Sequence, residues 1–138
     1  MSAGTHRLGA SPARIVWGPA AGLMAVIFVL SSLPDLPAPP GGMSDVGAHA
    51  VVYAGLGTLL LRALAGARWQ GVTIRSAATA VLLAVLYGAT DEYHQSFVVG
   101  RFAALRDLVA DGVGAGVGVG VVWAWSIVFS MQERGGNR

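Results

Sequence analysis

Four long apolar runs dominate the chain, and short polar connections separate them. The runs cover residues 15–33, 46–65, 72–90 and 108–130. Crossing the hydrocarbon core of a bilayer takes about 20 helical residues, and each run comes close to that length. The pattern therefore predicts an all-α fold, an integral membrane bundle of four transmembrane helices.

The composition is typical of a membrane protein. Hydrophobic residues make up 54% of the 138 residues and charged residues only 12%, whereas soluble domains carry about 25% charged residues. The absence of cysteine excludes disulfides and thiolate chemistry. All nine basic residues are arginines scattered along the chain, so the sequence predicts no nucleic-acid partner. Membrane lipids are the expected partners.

The first run must be weighed against a signal peptide, because Arg7 and Arg14 precede it. Its only small-residue exit, Leu36-Pro37-Ala38, lacks the small-x-small pattern of a cleavage site. We therefore expect the first run to be retained as a span.

Arginine placement predicts the orientation, because cytoplasmic connections are enriched in basic residues. Both tails and the second connection contain arginine, the first connection contains none, and the third contains only Arg101 and Arg106. We therefore expect a multi-pass protein of the cell membrane with both termini in the cytoplasm. Residues 15–130 would form the membrane domain, with flexible cytoplasmic tails at residues 1–14 and 131–138.

The acidic residues collect at the opposite, outer end of the predicted bundle. Only Glu133 falls on the cytoplasmic side, and His49 and His94 also lie toward the outer side. Residues far apart in sequence thus converge on one membrane face: Asp35, Asp45, Asp91, Glu92, Asp107 and Asp111.

The fourth run begins with the glycine-rich segment GVGAGVGVG. Small residues four apart let transmembrane helices approach closely. Gly114 and Gly118 form one such stripe, and Gly112, Gly116 and Gly120 form another. We expect the glycines to serve packing, either within the chain or, through Gly112, Gly116 and Gly120, between copies in a homo-oligomer.

The outer acids differ in how easily helix capping explains them. Asp45, after Ser44, and Asp107 stand at helix N-termini, where the helix dipole favours negative charge; for these two, a cap and a site remain open. Asp91 and Glu92 stand at a helix C-terminal end, where the dipole disfavours anions. They form either a buried ion-pair network with a nearby arginine or a functional site within the membrane.

Polar residues four apart share a helix face, and three such stripes are present. We expect them to face one another around a pocket that opens outward, with Gly100 providing a turn that brings Arg101 over it. The stripes are Asp45, His49 and Tyr53; Tyr87, Asp91 and Gln95; and Asp107 and Asp111.

The pocket residues suggest acid–base chemistry or ligand binding. Asp91 and Glu92 are candidate catalytic acids and bases, and His49, oriented by Asp45, is a candidate general base. The candidate ligand-binding residues are Asp45, Tyr53, Gln95, Arg101, Asp107 and Asp111. His49, His94 and the acids lack the spacing of known metal motifs, so we expect no metal and no cofactor.

Two blocks of the sequence resemble the signatures of the VanZ-like membrane proteins. SDVGAHAVVYAGLG is similar to Asp-Lys-x-x-His-x-x-x-Tyr-x-x-Leu, and LYGATDEYHQSFVVGRFAALRDLVADGVG is similar to Tyr-Gly, Asp-Glu-x-x-Gln-x-Phe, Gly-Arg and Asp-x-x-Ala-Asn-x-x-Gly. Ser32 and Pro34 resemble the end of that family's first span. The matching positions are Asp45, His49, Tyr53, Leu56, Tyr87, Gly88, Asp91, Glu92, Gln95, Phe97, Gly100, Arg101, Asp107, Ala110 and Gly114.

The chain departs from these signatures at three positions. Val46 replaces the usual lysine, Val99 a common proline, and Asp111 the usual asparagine. The pocket is therefore more acidic than the family pattern implies.

The resemblance implies work at the cell envelope, because the family is named for a protein associated with teicoplanin resistance. An outward site at lipid depth suits an envelope lipid, a lipid-linked cell-wall precursor or a lipoglycopeptide antibiotic. The protein would either act on such a molecule as an enzyme or hold it as a binding or antibiotic-protection module. A small lipid transporter is a further alternative.

Overall fold

The computed structural model describes residues 13–34, 39–68 and 72–135, with side chains described through residue 132. The expectations for residues 1–12, Asp35 and Arg138 lie outside these residues, as do those for the side chains of Glu133 and Arg134. Within the described ranges the chain is helical and contains no strand, which confirms the all-α prediction. The α-helices are α1 (Ala13–Ser31), α2 (Asp45–Leu64), α3 (Ile74–Gln95) and α4 (Leu105–Gly135), with a short 3₁₀ turn at Pro40–Gly42.

Each α-helix coincides with one predicted apolar run, although the ends differ. α3 continues five residues past the predicted end at residue 90, so its polar residues lie on the helix itself. α4 begins at Leu105 and runs to Gly135. It therefore includes residues 131–135, which the sequence assigned to the C-terminal tail.

Three of the four helices are long and apolar enough to cross a membrane: α1, α2 and residues 105–132 of α4. α3 does not meet this description, because Arg75 lies near its start and Asp91 and Glu92 near its end. The uncharged stretch between them, residues 76–90, spans about 22 Å at 1.5 Å per residue. A bilayer's hydrocarbon core is about 30 Å thick.

Local capping interactions define two of the helix starts. The Ser44 hydroxyl accepts a hydrogen bond from the Gly47 N–H at 3.2 Å, with Asp45 in the first turn of α2. Thr73 and Ser76 form a reciprocal capping box at the start of α3. Ser44 therefore caps the start of α2, and Thr73 with Ser76 caps the start of α3.

α2 is the central helix and packs most closely against α4. At this contact a side chain at Gly114 or Gly118 would overlap the backbone of Ala50 or Ala54, respectively. Close approach of the two backbones therefore depends on glycine at both positions. The core around this contact consists mainly of Leu56, Leu60, Leu61, Ala80, Ala84, Ala115 and Val119.

The opposite face of α4 is apolar and exposed. Val113, Val117 and Val121 all point away from the bundle, and among the described residues no neighbouring helix comes within 4 Å of a Cβ built at Gly116 or Gly120. Such a face is typical of a helix that lies against lipid or against another membrane helix.

Candidate functional site

A cavity of about 470 Å³ lies at the end of the bundle where α2 begins, α3 ends and α4 begins. Ligand pockets commonly have volumes of about 300–1,000 Å³. One part of the wall is apolar and includes Ile27, Leu30, Val52 and Phe102. The polar part of the wall consists of Ser31, Asp45, His49, Tyr53, Asp91, Gln95, Arg101, Arg106 and Asp107.

His49 on α2 is held by an acid from α4. Its Nδ1 lies 2.9 Å from Oδ1 of Asp111, a residue that is only 1% exposed. When the imidazole is neutral, this contact places its proton on Nδ1 and leaves the lone pair on Nε2. The predicted orientation of His49 by Asp45 is not observed, because Asp45 is exposed and the acid bonded to the ring is Asp111.

Asp91 and Glu92 have different partners and face different surroundings. Asp91 lines the cavity, and its Oδ2 accepts a hydrogen bond from Gln95 Nε2 at 3.0 Å. Glu92 lies behind the cavity wall, and its Oε2 accepts a hydrogen bond from the Ala104 N–H at 2.7 Å. Glu92 thereby ties the end of α3 to the connection before α4.

The arginines whose side chains are described do not pair with these two acids. Within the described residues, the ion pairs are His49–Asp111 and a contact of 3.5 Å between Arg106 Nε and Asp107 Oδ1. The alternative of an arginine network tying Asp91 and Glu92 to the third connection is therefore not observed.

Arg101 lines the cavity. Gly100 before it has a φ of +83°, a left-handed conformation that glycine adopts without strain, and the Arg101 N–H closes the turn onto the Val98 carbonyl at 3.1 Å. This is the turn predicted for Gly100. Arg101 Nε is buried and finds no acceptor among the described residues.

Tyr53 and Gly88 shape the floor of the site. Tyr53 is fully buried and stacks parallel to the His49 ring, and its hydroxyl has no hydrogen-bond partner within the described chain. A Cβ at Gly88 would lie 2.6 Å from Asp111 Oδ2 and 3.2 Å from Tyr53. Glycine at position 88 therefore makes room for Asp111 beneath His49.

Two other polar residues of α3 contact α1 instead of the cavity. His94 Nε2 lies 3.0 Å from the Ser32 hydroxyl, and the His94 ring packs on Phe28. The Tyr87 hydroxyl donates to the Met24 carbonyl at 2.6 Å. Tyr87 shares a stripe with Asp91 and Gln95, as predicted, but it holds α3 against α1.

The structure brings most of the predicted site residues together. Glu92 and Asp111 lie behind the cavity surface. Asp111 contacts His49, which lines the cavity, and Glu92 contacts Ala104, which lies next to it. The other seven predicted residues line the cavity: Asp45, His49, Tyr53, Asp91, Gln95, Arg101 and Asp107.

Sequence reasoning missed the apolar wall and Arg106. Ile27 and Leu30 from α1 and Val52 from α2 line the cavity, but in the sequence they are ordinary members of apolar runs. No local signal distinguishes them. Arg106 also lines the cavity, although its position in the third connection indicated only the orientation of the chain.

The arrangement offers both acid–base and ligand-holding groups. A histidine oriented by a buried carboxylate can accept a proton, and an unpaired guanidinium can bind a phosphate or a carboxylate. One ligand atom each from His49, Glu92 and Asp107 lies within 4.8 Å of the other two, a grouping that could hold a metal ion.

Comparison with known proteins supplies the family. Searches of curated proteins and of solved structures find no match. The model of the VanZ/LLP1 family matches residues 19–129, which include all of α2 and α3, most of α1 and α4, and the whole cavity wall. The chain is therefore a member of the VanZ/LLP1 family.

Proposed function

We propose that the cavity binds the anionic head group of an envelope amphiphile, such as a lipid or a lipid-linked cell-wall precursor. The observation that carries this proposal is Arg101. Its buried Nε has no acceptor in the described chain, yet the side chain lines a cavity large enough for a head group. A buried unpaired donor costs free energy, and a phosphate or carboxylate on the ligand would provide the missing acceptor.

The cavity wall has a charged part and an apolar part, which favours an amphiphile over a purely polar ligand. Arg101 and Arg106 provide positive charge, whereas Ile27, Leu30 and Val52 provide an apolar surface on the same cavity. A molecule with a charged head and an acyl or prenyl chain would satisfy both. This class includes lipid-linked precursors and teicoplanin-type lipoglycopeptides.

The proposed site faces outward in a four-span arrangement with both termini in the cytoplasm. Arg75 can extend its charged end to the cytoplasmic interface, and the acids of α3 are enclosed by the bundle, away from lipid. Both features support a spanning α3 despite its short apolar stretch. The arginine distribution supports the direction.

Native mass spectrometry of protein extracted in mild detergent tests the binding proposal. The wild-type protein should retain an envelope amphiphile, and the Arg101→Ala variant should retain at least tenfold less of it. Arg75→Ala, an exposed arginine on α3 that does not line the cavity, is the matched control and should retain the ligand. Added total envelope lipid extract and added teicoplanin distinguish a lipid from an antibiotic ligand. Equal retention by both variants would exclude a role for Arg101 in binding.

A second candidate function, acid–base catalysis on the bound head group, is supported by the His49–Asp111 pair. A carboxylate at 2.9 Å from Nδ1 orients the ring so that Nε2 can accept a proton. Asp91, which lines the same cavity with Oδ1 unpartnered in the described chain, is a second group within the site.

Proteoliposomes made with total envelope lipid extract test this second candidate. Catalysis predicts a new lipid product by mass spectrometry with wild-type protein, and loss of that product with Asp91→Asn or His49→Gln while lipid retention persists. Retention without any product in wild-type protein would leave the binding function alone.

A further inference from the structure

We propose that His49, Glu92 and Asp107 form a binding site for a divalent transition-metal ion of the Zn²⁺ or Mn²⁺ class. This proposal goes beyond head-group binding and does not depend on it. It also differs from the sequence-based expectation of no metal, because the three residues lie on three different helices.

The three ligand atoms lie close together although they come from three different helices. A ring nitrogen of His49 and one carboxylate oxygen each of Glu92 and Asp107 all lie within 4.8 Å of one another. Each residue stands on a separate rigid element: the first turns of α2, the end of α3 and the first turn of α4. Ligands on separate helices, all held by the same bundle contacts, define a site that does not require a flexible loop.

Two carboxylate oxygens in this group have no hydrogen-bond partner in the described chain. Glu92 is only 7% exposed, and its Oε1 is buried without a hydrogen bond in the described chain. Asp107 Oδ1 is likewise without a hydrogen bond there, although Arg106 Nε approaches it to 3.5 Å. Buried acceptors without donors are costly, and a cation is the ligand that satisfies carboxylate oxygens most directly.

The His49 ring is oriented as in a metal site. Metal-binding histidines generally donate their other ring N–H to a carboxylate, which fixes the tautomer and strengthens the ligand. Asp111 Oδ1 stands 2.9 Å from His49 Nδ1, in the position of such a supporting carboxylate. Asp111 is therefore a positioning residue for His49.

The buried side chains at this end of the bundle are rich in carboxylates. Four carboxylates are buried at this end of the bundle, those of Asp91, Glu92, Asp107 and Asp111. The cations near them are the exposed Arg106, the partly buried Arg101 and the titratable His49. A divalent cation would compensate the remaining negative charge, which is costly to keep inside a bundle.

The donor set selects the kind of metal. An imidazole with two carboxylates suits Zn²⁺ or Mn²⁺, whereas sites for Mg²⁺ and Ca²⁺ are built from oxygen ligands. Three protein ligands leave a position for water or a ligand oxygen. Tetrahedral Zn²⁺ with bonds near 2.0–2.1 Å holds its ligand atoms about 3.3 Å apart, so binding would draw the three side chains together by rotation.

Metal titration of detergent-purified protein, with no lipid added, tests the proposal. The protein carries a tag free of histidine, is stripped with a chelator, and is loaded with Zn²⁺, Mn²⁺ or the spectroscopic probe Co²⁺. We expect one ion per chain by elemental analysis and a visible Co²⁺ absorption spectrum. A higher thermal-unfolding temperature in Zn²⁺ is also expected, because a ligand that binds only the folded state stabilises it.

Matched variants assign the ligands. Glu92→Gln and His49→Gln should weaken metal binding at least tenfold, and Asp111→Asn should weaken it by about 10–100-fold through loss of the supporting carboxylate. His94→Gln is the control, because His94 lies at the same end of the bundle, contacts Ser32 and stands outside the three-ligand group. This control should bind metal as the wild type does. Glu92→Asp, which keeps the charge and shortens the side chain, serves if Glu92→Gln does not fold.

Two results would contradict the site: less than stoichiometric metal on folded wild-type protein, or equal loss of binding in the control and the ligand variants. Because this experiment measures bound metal and not retained lipid, its failure would leave head-group binding by Arg101 untouched, and a failure of head-group binding would leave the metal result standing.

Discussion

Two tyrosines near the cavity differ in what their hydroxyl groups contact. Tyr87 donates to the Met24 carbonyl at 2.6 Å and joins α3 to α1. Tyr53 is buried to 1% exposure, and its hydroxyl has no partner in the described part of the chain. The Tyr87 hydroxyl therefore supports the fold, whereas the Tyr53 hydroxyl adds no hydrogen bond to the described part of the chain.

The tyrosine pair gives a prediction at the residue scale. Tyr87→Phe should lower the free energy of unfolding by about 0.5–1.5 kcal/mol, because one intramolecular hydrogen bond is lost. Tyr53→Phe should leave it unchanged or slightly higher, because no bond is lost. Unfolding of both variants in detergent measures the difference. A loss of stability in Tyr53→Phe equal to that in Tyr87→Phe would show that the Tyr53 hydroxyl is engaged within the fold.

Sequence periodicity predicted which residues share a helix face, but it could not identify their partners. The stripe of Asp45, His49 and Tyr53 suggested that Asp45 orients His49. The ring instead contacts Asp111, which is distant in sequence and lies close only because α2 and α4 pack tightly. Such a contact depends on the relative positions of two helices, which local spacing does not define.

At the scale of the helices, the glycine stripes have different surroundings. Gly114 and Gly118 lie against the α2 backbone, whereas a Cβ at Gly116 or Gly120 would meet no other helix of the described chain within 4 Å. The sequence predicted both stripes but not which of them faces α2. A homo-oligomer contact through Gly112, Gly116 and Gly120 therefore stays a proposal, supported by the open surface at Gly116 and Gly120. Gly112 already approaches Val85 of α3.

Alanine at the two kinds of glycine gives a matched prediction. Gly114→Ala should destabilise the bundle by about 1–3 kcal/mol, because the added methyl group would overlap the Ala50 backbone and force the helices apart. Gly116→Ala should be neutral or stabilising by up to about 1 kcal/mol, because alanine favours the helix and meets no neighbour. Thermal unfolding in detergent compares the two. If both substitutions had the same effect, the described α2–α4 contact would be wrong.

At the scale of the whole molecule, the topology depends on whether α3 crosses the membrane. Its apolar stretch between Arg75 and Asp91 is short, and only the other three helices have the length and composition of a span among the described residues. The apolar pattern predicted all four helices, but a hydropathy profile does not show which charged ends the bundle encloses. That enclosure comes from packing, which buries Asp91 and Glu92.

Single cysteines decide between the two arrangements, since the chain contains none of its own. Val99, after α3, and Ala67, before it, are both exposed. In the proposed four-span topology, an impermeant thiol reagent labels Val99→Cys on intact cells and Ala67→Cys only after permeabilisation. Labelling of both positions from the same side would show that α3 does not span, and the reverse pattern would invert the orientation.

Photo-crosslinking in living cells tests the central claim, that the cavity holds an envelope amphiphile. A photoreactive amino acid replaces Val52, which lines the cavity, or Val51, its neighbour on the outer surface of α2. Mass spectrometry then identifies the attached molecules. We predict one enriched amphiphile at position 52, lost when Arg101→Ala is added, and a sample of bulk lipid at position 51 that this substitution does not change. The same bulk lipids at both positions, unaffected by Arg101→Ala, would contradict the account.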